Sequence, residues 1–282
     1  MARLNLGWLK PPKVPADGVM SLADHLREFR YRVVVSALAI IAGMIGVAFF
    51  WRPLFNLMVG PLMMARDVLK QTNPNINTVL TMEDYTQGFF LILQLCLVGG
   101  LVLTSPFWLY QAWAYIVPAL LQKEKRIALS FIAVAAPLFI FGCLVAYWVM
   151  PQGIIVMLQF TPDNLGILNM LRVNNYLSLL LQLMVVFGIG FLVPVFVVAL
   201  NLVGIISGAM LKKARTGVIF GTFVFGAAAT PGADPFSMLA LAIPMMLLFL
   251  IAEALCHAND KRRARKIAAE EKADAERRAL TP

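Results

Sequence analysis

The sequence predicts an all-α integral membrane protein with six transmembrane helices and both termini in the cytoplasm. Of its 282 residues, 60% are hydrophobic and only 14% are charged, and the mean hydropathy is +0.79. This composition is far from that of a soluble globular domain. The chain contains six long uncharged stretches. Each is close to or longer than the roughly 20 residues that a helix needs to cross the hydrocarbon core. They occupy residues 33–51, 85–122, 127–162, 173–211, 216–233 and 235–252.

Capping and turn signals divide the chain into elements. Ser21 and Asp24 are typical of a helix start, and this amphipathic helix is expected to run into the first span at Val33. Residues 53–86 form the largest outer loop, with one or two short amphipathic helices that end near the Asn-Pro-Asn run at 73–75. The remaining five spans are expected at about 88–109, 127–148, 174–199, 214–230 and 236–255.

Prolines are expected to mark the ends of several spans. Pro106 and Pro118 bracket a cytoplasmic connection rich in aromatic residues, and Pro151 closes the third span. A tight turn at 230–235 joins the last two spans. The chain is thereby divided into a polar N-terminal extension (1–20), a six-span core (21–256) and a charged cytoplasmic tail (257–282).

The distribution of basic residues sets the orientation. With both termini inside, 20 of the 24 Lys and Arg residues lie in cytoplasmic segments, as the positive-inside rule requires. The net charge of +9 therefore reflects topology and attraction to anionic lipid. Nucleic-acid binding is a poor alternative explanation of that charge.

The sequence contains no signal for a cofactor, a metal site or a catalytic centre. Its two histidines, His25 and His257, are too few for a zinc centre, and no Gly-rich phosphate loop is present. Cys96, Cys143 and Cys256 each lie alone in an apolar segment, on three different spans. This placement is typical of small buried hydrophobic residues.

Two lone carboxylates lie within the basic cytoplasmic motifs, Glu28 and Glu124. A guanidinium group presents a planar fork of donors that matches a carboxylate, so two such acids on separate segments suit a pair of arginines. Lysine supplies the charge without the fork. The structural alternative is that Glu28 pairs with Arg32, and Glu124 with Lys125 or Arg126, as exposed ion pairs worth less than about 1 kcal/mol.

Both carboxylates belong to longer motifs. Residues 25–32 read His-Leu-Arg-Glu-Phe-Arg-Tyr-Arg, and 110–120 read Tyr-Gln-Ala-Trp-Ala-Tyr-Ile-Val-Pro-Ala-Leu, followed by Glu-Lys-Arg at 124–126. Other motifs are Gly142…Ala146-Tyr147…Pro151, Tyr176-Leu177-Ser178…Phe187-Gly188…Phe191…Pro194, Thr230-Pro231…Asp234 and Ala242-Ile243-Pro244. Together, over about residues 20–256, they resemble the TatC family, the multi-span core of the twin-arginine protein translocase.

The resemblance implies a cupped six-helix protein of the cell membrane that is a receptor and conduit for folded cargo proteins. It implies binding of twin-arginine signal peptides, single-span TatA- and TatB-type partners, oligomer formation and transport driven by the proton-motive force, without enzymatic activity. By motif position, Glu28 and Glu124 bind the signal peptide. The supporting residues of the cytoplasmic motifs are His25, Arg30, Tyr115 and Arg126.

One position departs from the family pattern. Where the family commonly has a glutamate on the fourth span, this chain has Leu192. Partner docking is therefore expected to rely on packing around Gly188 and Phe191, with Gln94 as the first candidate for a polar contact. Asp234, in the outer turn, either caps the last span or has a functional role.

A small-substrate secondary transporter is the alternative function. Its solvent path would use the polar residues Gln94, Gln182 and Glu253, which lie within or near the end of spans. An amide inside a span more often pairs with a neighbouring helix, which favours packing as the role of Gln94 and Gln182.

Overall fold

A computed structural model of the chain describes residues 22–72, 77–81, 86–116, 125–159, 168–229 and 235–280. These ranges are almost entirely helical, which confirms the predicted class. In chain order they contain α1 (Leu22–Ala48), α2 (Trp51–Thr72), β1 (Asn77–Thr81), α3 (Gln87–Leu103), α4 (Ser105–Ile116), α5 (Lys125–Gln159), β2 (Leu168–Arg172), α6 (Val173–Val203), α7 (Gly208–Ala229) and α8 (Pro235–Leu280). The helices divide into two compact units, 1–188 and 189–282.

The two short strands form a parallel pair that the sequence did not predict. β1 pairs with β2 in a register that runs from Asn77 opposite Leu168 to Thr81 opposite Arg172. Both strands lie in segments assigned to outer loops. A parallel pair requires partners far apart in the chain, so no hairpin signal precedes it.

Four described helices are long and apolar enough to cross a membrane: α1, α5, α6 and α8. α3 and α4 are inclined to each other by 63°, and they form a fifth span if the pair is counted as one. α7 is 22 residues long, but Lys212, Lys213 and Arg215 lie near its start and shorten its apolar run. Of the six predicted spans, the one assigned to 214–230 therefore remains a prediction.

The expected loop after span two is a helix, α4, that begins just past a break at Thr104. The Thr104 hydroxyl and amide both donate to the carbonyl of Gly100, at 2.8 and 3.0 Å. The indole of Trp108 donates to the carbonyl of Leu101 at 3.0 Å, which supplies a donor where the helix ladder is interrupted. Pro106 lies in the first turn of α4, where a missing amide N–H costs nothing.

α2 is a single helix, although Pro61 lies inside it. Proline has no N–H, so the carbonyl of Leu57, four residues earlier, loses its helical donor. The hydroxyl of Tyr147 on α5 donates to that carbonyl at 3.0 Å, and the hydroxyl of Tyr176 on α6 donates to the next one, that of Met58, at 3.3 Å. Tyr147 thus compensates for the proline, and both tyrosines attach α2 to the neighbouring helices.

Glycines allow two pairs of helices in the first unit to approach closely. A β-carbon at Gly100 on α3 would lie 2.5 Å from the backbone nitrogen of Met44 on α1, and Gly43 faces Gly100 from the other side. A β-carbon at Gly142 on α5 would lie 2.9 Å from the Cα of Gly188 on α6. Small residues commonly permit such backbone contacts between membrane helices.

The second unit contains the end of α6, α7 and α8, joined by two polar clusters. Arg215 on α7 donates through Nε and Nη2 to both carboxylate oxygens of Glu253 on α8, at 2.9 and 2.6 Å. Asp260 on α8 accepts from the side chain of the buried Asn201 at 2.9 Å and from the amide of Gly208, the first residue of α7, at 2.6 Å. α8 itself continues without a break past residue 256, where the core was expected to end.

Candidate functional site

The candidate site lies where the start of α1 packs against α4. His25, Glu28, Phe29 and Arg32 have the spacing i, i+3, i+4 and i+7, so they lie on one face of α1. Residues 111 and 115 lie one turn apart on α4 and meet this face. The contact between the helices is therefore made by one charged set and one aromatic set of side chains.

The charged set is centred on Glu28, whose side chain is only 3% exposed. Arg32 donates to the Oε1 atom of Glu28 through Nε at 2.9 Å and through Nη2 at 2.6 Å. Its third nitrogen, Nη1, donates to the Oε1 atom of Gln111 at 3.1 Å. The second oxygen of Glu28, Oε2, is buried and has no hydrogen-bond donor among the described residues.

The aromatic set surrounds the ring of Tyr115. His25 stacks on this ring with centroids 4.6 Å apart and an interplanar angle of 19°, and Phe29 contacts it at 5.2 Å in a tilted arrangement. Trp113 on the same helix stacks on Phe131 of α5 at 4.5 Å. Rigid aromatic contacts of this kind fix α4 between α1 and α5.

The structure thus brings together three of the predicted site residues: His25, Glu28 and Tyr115. Arg30 lies on the same helix but its side chain is exposed. Glu124 and Asp234 lie outside the described residues, and the side chain of Arg126, the second residue of α5, is likewise outside them. The geometry therefore describes one half of the predicted pair of carboxylates.

The structural alternative for Glu28 is partly correct. The pair with Arg32 forms at i+4, but its side chains are 3% and 14% exposed, so it is not the exposed ion pair expected from the sequence. A buried carboxylate requires close compensation of its charge, and breaking such a pair costs more than breaking a surface one. Gln111 was missed as a site residue, because its contact with Arg32 depends on α4, a helix where a connection was expected.

The residues predicted for partner docking are largely internal. Gln94 on α3 accepts a hydrogen bond from the hydroxyl of Ser178 on α6 at 3.0 Å and donates to the carbonyl of Ser178 at 3.5 Å. Phe191 is completely buried and Leu192 is 3% exposed. A β-carbon at Gly188 would lie 2.6 Å from the ring of Phe139. Gly188 and Phe191 are packing positions within the chain.

Neither a metal site nor a disulfide appears within the described ranges. No group of three or more histidine, cysteine and acidic side chains there is placed to bind a metal ion. Cys96, Cys143 and Cys256 are free and buried, which confirms the prediction of buried small residues.

Comparisons with known proteins agree with the motifs. The family described as Sec-independent protein translocase protein (TatC) matches residues 24–244. The TatC protein of Frankia casuarinae is 38% identical over 89% of this chain and 69% of its own length, and that of Rothia mucilaginosa is 34% identical over 91% and 85%. The crystal structure of a twin arginine translocase receptor, TatC, in DDM superposes with a TM-score of 0.69 at 31% identity, over 82% of this chain and 99% of that one.

These relatives support neither an enzyme nor a small-substrate transporter, since TatC proteins are non-enzymatic transport subunits. The ion pair between Glu253 and Arg215, and the bonds between Gln94 and Ser178, fit the packing roles of these polar residues. The chain belongs to the TatC family of Sec-independent protein translocase proteins, the core component of the twin-arginine translocase.

Proposed function

We propose that this chain is the receptor subunit that binds twin-arginine signal peptides, with Glu28 and Glu124 as the two carboxylates that contact the arginines. The observation that carries the proposal is the buried Oε2 atom of Glu28, a carboxylate oxygen that has no donor among the described residues. An unsatisfied buried acceptor is costly, and a guanidinium that reached it would satisfy it. The solved structure with the same fold is described as a twin arginine translocase receptor, which supports the same function.

Glu28 and Glu124 lie on separate segments of the chain. Glu28 is held on α1 against α4, and its helix is fixed there by the stack of His25 on Tyr115. Glu124 directly precedes Lys125, the first residue of α5. A signal peptide with two adjacent arginines would place one guanidinium at each carboxylate. Arg30 and Arg126 complete the proposed site by orienting the peptide backbone or contacting lipid headgroups.

The proposed topology is that of a multi-pass protein of the cell membrane with both termini in the cytoplasm. The start of α1 and the segment between α4 and α5 then lie on the cytoplasmic side, where signal peptides are presented. The support is the placement of 20 of the 24 basic residues in cytoplasmic segments. In this topology Lys261, Arg262 and Arg263, which follow the last predicted span, would contact anionic lipid.

Cysteine labelling tests this topology. A cysteine at Gly166, in a segment that the proposed topology assigns to the outside, should react with a membrane-impermeant maleimide in intact cells. A cysteine at Ile205, which is 59% exposed, should react only after the membrane is permeabilised, so its silence in intact cells would not be due to burial. The wild-type chain is the background control, because its three cysteines are buried. The opposite pattern of labelling would refute the proposed orientation.

Single-span TatA- and TatB-type subunits are the proposed partners, within an oligomer of the translocase. With Phe191 and Leu192 buried, polar docking is best placed at Gln94, which is partly exposed and donates only a long 3.5 Å bond. A partner donor or acceptor at this level would compete with Ser178. Asp234, in the outer turn before α8, remains a proposed cap of that helix.

Export of a folded reporter tests the function as a whole. Cells that lack their own TatC should export a reporter with a twin-arginine signal only when this chain is restored together with its native single-span partners. The same reporter with a twin-lysine signal should remain in the cytoplasm, since lysine lacks the guanidinium fork. Equal export of both reporters would contradict a receptor that recognises arginine.

A further inference from the structure

We propose that Arg32 is a built-in competitor of the signal peptide: it occupies Glu28 in the resting protein and is displaced by an incoming arginine. This inference rests on the proposed function. It adds that Arg32 sets how tightly the signal peptide binds, because the peptide must compete with it. Arg32 presents to Glu28 the same guanidinium group that the signal would present. The site is therefore occupied by a chemical equivalent of its ligand.

The ion pair between Arg32 and Glu28 uses only one of the two carboxylate oxygens, so a better-matched guanidinium can replace Arg32. The Nε and Nη2 atoms of Arg32 both donate to one oxygen, Oε1, and Oε2 has no donor in the part of the chain that the structure describes. The pair of Arg215 with Glu253 in the same chain shows the complete arrangement, in which two nitrogens go to two oxygens. An incoming arginine that forms the complete fork satisfies an atom that Arg32 does not.

Gln111 can hold the side chain of Arg32 after it leaves Glu28. The Nη1 atom of Arg32 already donates to Gln111 at 3.1 Å, on the side of the guanidinium away from Glu28. Arg32 can keep this bond while its other nitrogens are released toward water. The exchange therefore replaces one charged pair by another and does not leave a buried carboxylate alone, a state that would be costly.

Exchange explains the structure better than simultaneous binding of both arginines. Oε2 is enclosed, so a second guanidinium cannot reach it while Arg32 holds the carboxylate between α1 and α4. Two guanidiniums on one carboxylate would also leave an excess positive charge in a poorly solvated contact. A signal peptide that binds only the open state has an apparent Kd equal to its intrinsic Kd divided by the fraction of molecules in that state.

Peptide titrations with Arg32→Gln test the proposal on the full chain in lipid nanodiscs. A fluorescent signal peptide with two arginines should bind about tenfold more tightly to Arg32→Gln than to the wild type, because the open state is no longer competed for. A twin-lysine peptide should gain by the same factor, so the ratio of the two affinities should not change. Arg32→Lys, which keeps a compensating charge but lacks the fork, should give a smaller gain in the same direction.

The matched control is Arg27→Gln, which removes the same charge from the same helix. Arg27 is exposed and contacts only Asp24, at 3.6 Å, among the ion pairs of the described residues. If Arg27→Gln tightens binding as much as Arg32→Gln, the gain in affinity comes from the loss of any positive charge on α1, and the proposal is wrong. Weaker or unchanged binding in both Arg32 variants, with the helical content retained, also overturns it, because Arg32 would then only position Glu28.

The outcome for Glu28→Gln separates this inference from the proposed function. If Glu28→Gln weakens binding but the Arg32 variants do not strengthen it, Glu28 binds the signal and Arg32 is not a competitor. If Glu28→Gln leaves the affinity unchanged, the assignment of Glu28 fails, and the competitor role fails with it.

Discussion

Replacing both Glu28 and Glu124 by glutamine should abolish detectable binding of a twin-arginine signal peptide. Each substitution keeps the size of the side chain and removes the charge that a guanidinium pairs with. Truncating one partner of a buried, hydrogen-bonded charge pair costs about 2–5 kcal/mol, so Glu28→Gln should lose at least about tenfold in affinity. Glu124→Gln should lose affinity in the same direction, because it removes the second charge that the proposal assigns to an arginine. Peptide titration and crosslinking to the purified variants in nanodiscs measure this loss.

Glu253→Gln is a matched control for this experiment. Glu253 is 5% exposed and pairs with Arg215 at 2.6 and 2.9 Å, the same distances that join Glu28 to Arg32. It should lower the stability of the protein, by less than Glu28→Gln because Arg215 is 47% exposed and Arg32 only 14%, and it should leave the peptide affinity unchanged. Equal loss of peptide binding in Glu253→Gln would mean that the Glu28 effect comes from a damaged fold.

Gly100→Val should prevent the protein from folding stably. A β-carbon at this position meets three backbone atoms of α1 within 2.9 Å, namely the nitrogen and Cα of Met44 and the carbonyl oxygen of Ile40. Backbone atoms cannot rotate away as the end of a flexible side chain can, so the two helices must separate. Overpacking commonly costs about 1–3 kcal/mol, and we expect about 3 kcal/mol or more here.

The control is Gly46→Val, on the same pair of helices. A β-carbon at Gly46 meets nothing within 4 Å, and the helix propensity of valine is at least as high as that of glycine. Both variants should be compared by the amount of protein in membranes and by the midpoint of thermal unfolding in detergent. Similar midpoints for Gly100→Val and the wild type would show that α1 and α3 do not pack as closely as described.

The sequence was sufficient to predict most helices because membrane spans carry their own signal. An uncharged run of about 20 residues must satisfy its backbone hydrogen bonds internally, and this requirement fixes helices such as α1 and α6 without knowledge of their neighbours. Features that depend on tertiary contacts were not predictable in the same way. The parallel pairing of β1 with β2 and the support of Pro61 by Tyr147 both join residues far apart in the chain.

The candidate site shows the same division. The spacing of His25, Glu28 and Arg32 on one helix face is local, and the sequence identified these residues and the ion pair at i+4. The burial of that pair was not predictable, because it depends on α4, a helix where a connecting loop was expected. Gln111 became part of the site only when α4 placed it against Arg32.

A double-mutant cycle between the protein and the peptide tests the central claim most directly. Peptides in which each arginine in turn is replaced by citrulline, its neutral isostere, are titrated against the wild type, Glu28→Gln and Glu124→Gln. We expect a coupling energy of about 1.5 kcal/mol or more between Glu28 and one arginine, and between Glu124 and the other. Coupling energies near zero for both carboxylates, in variants that fold normally, would contradict the account.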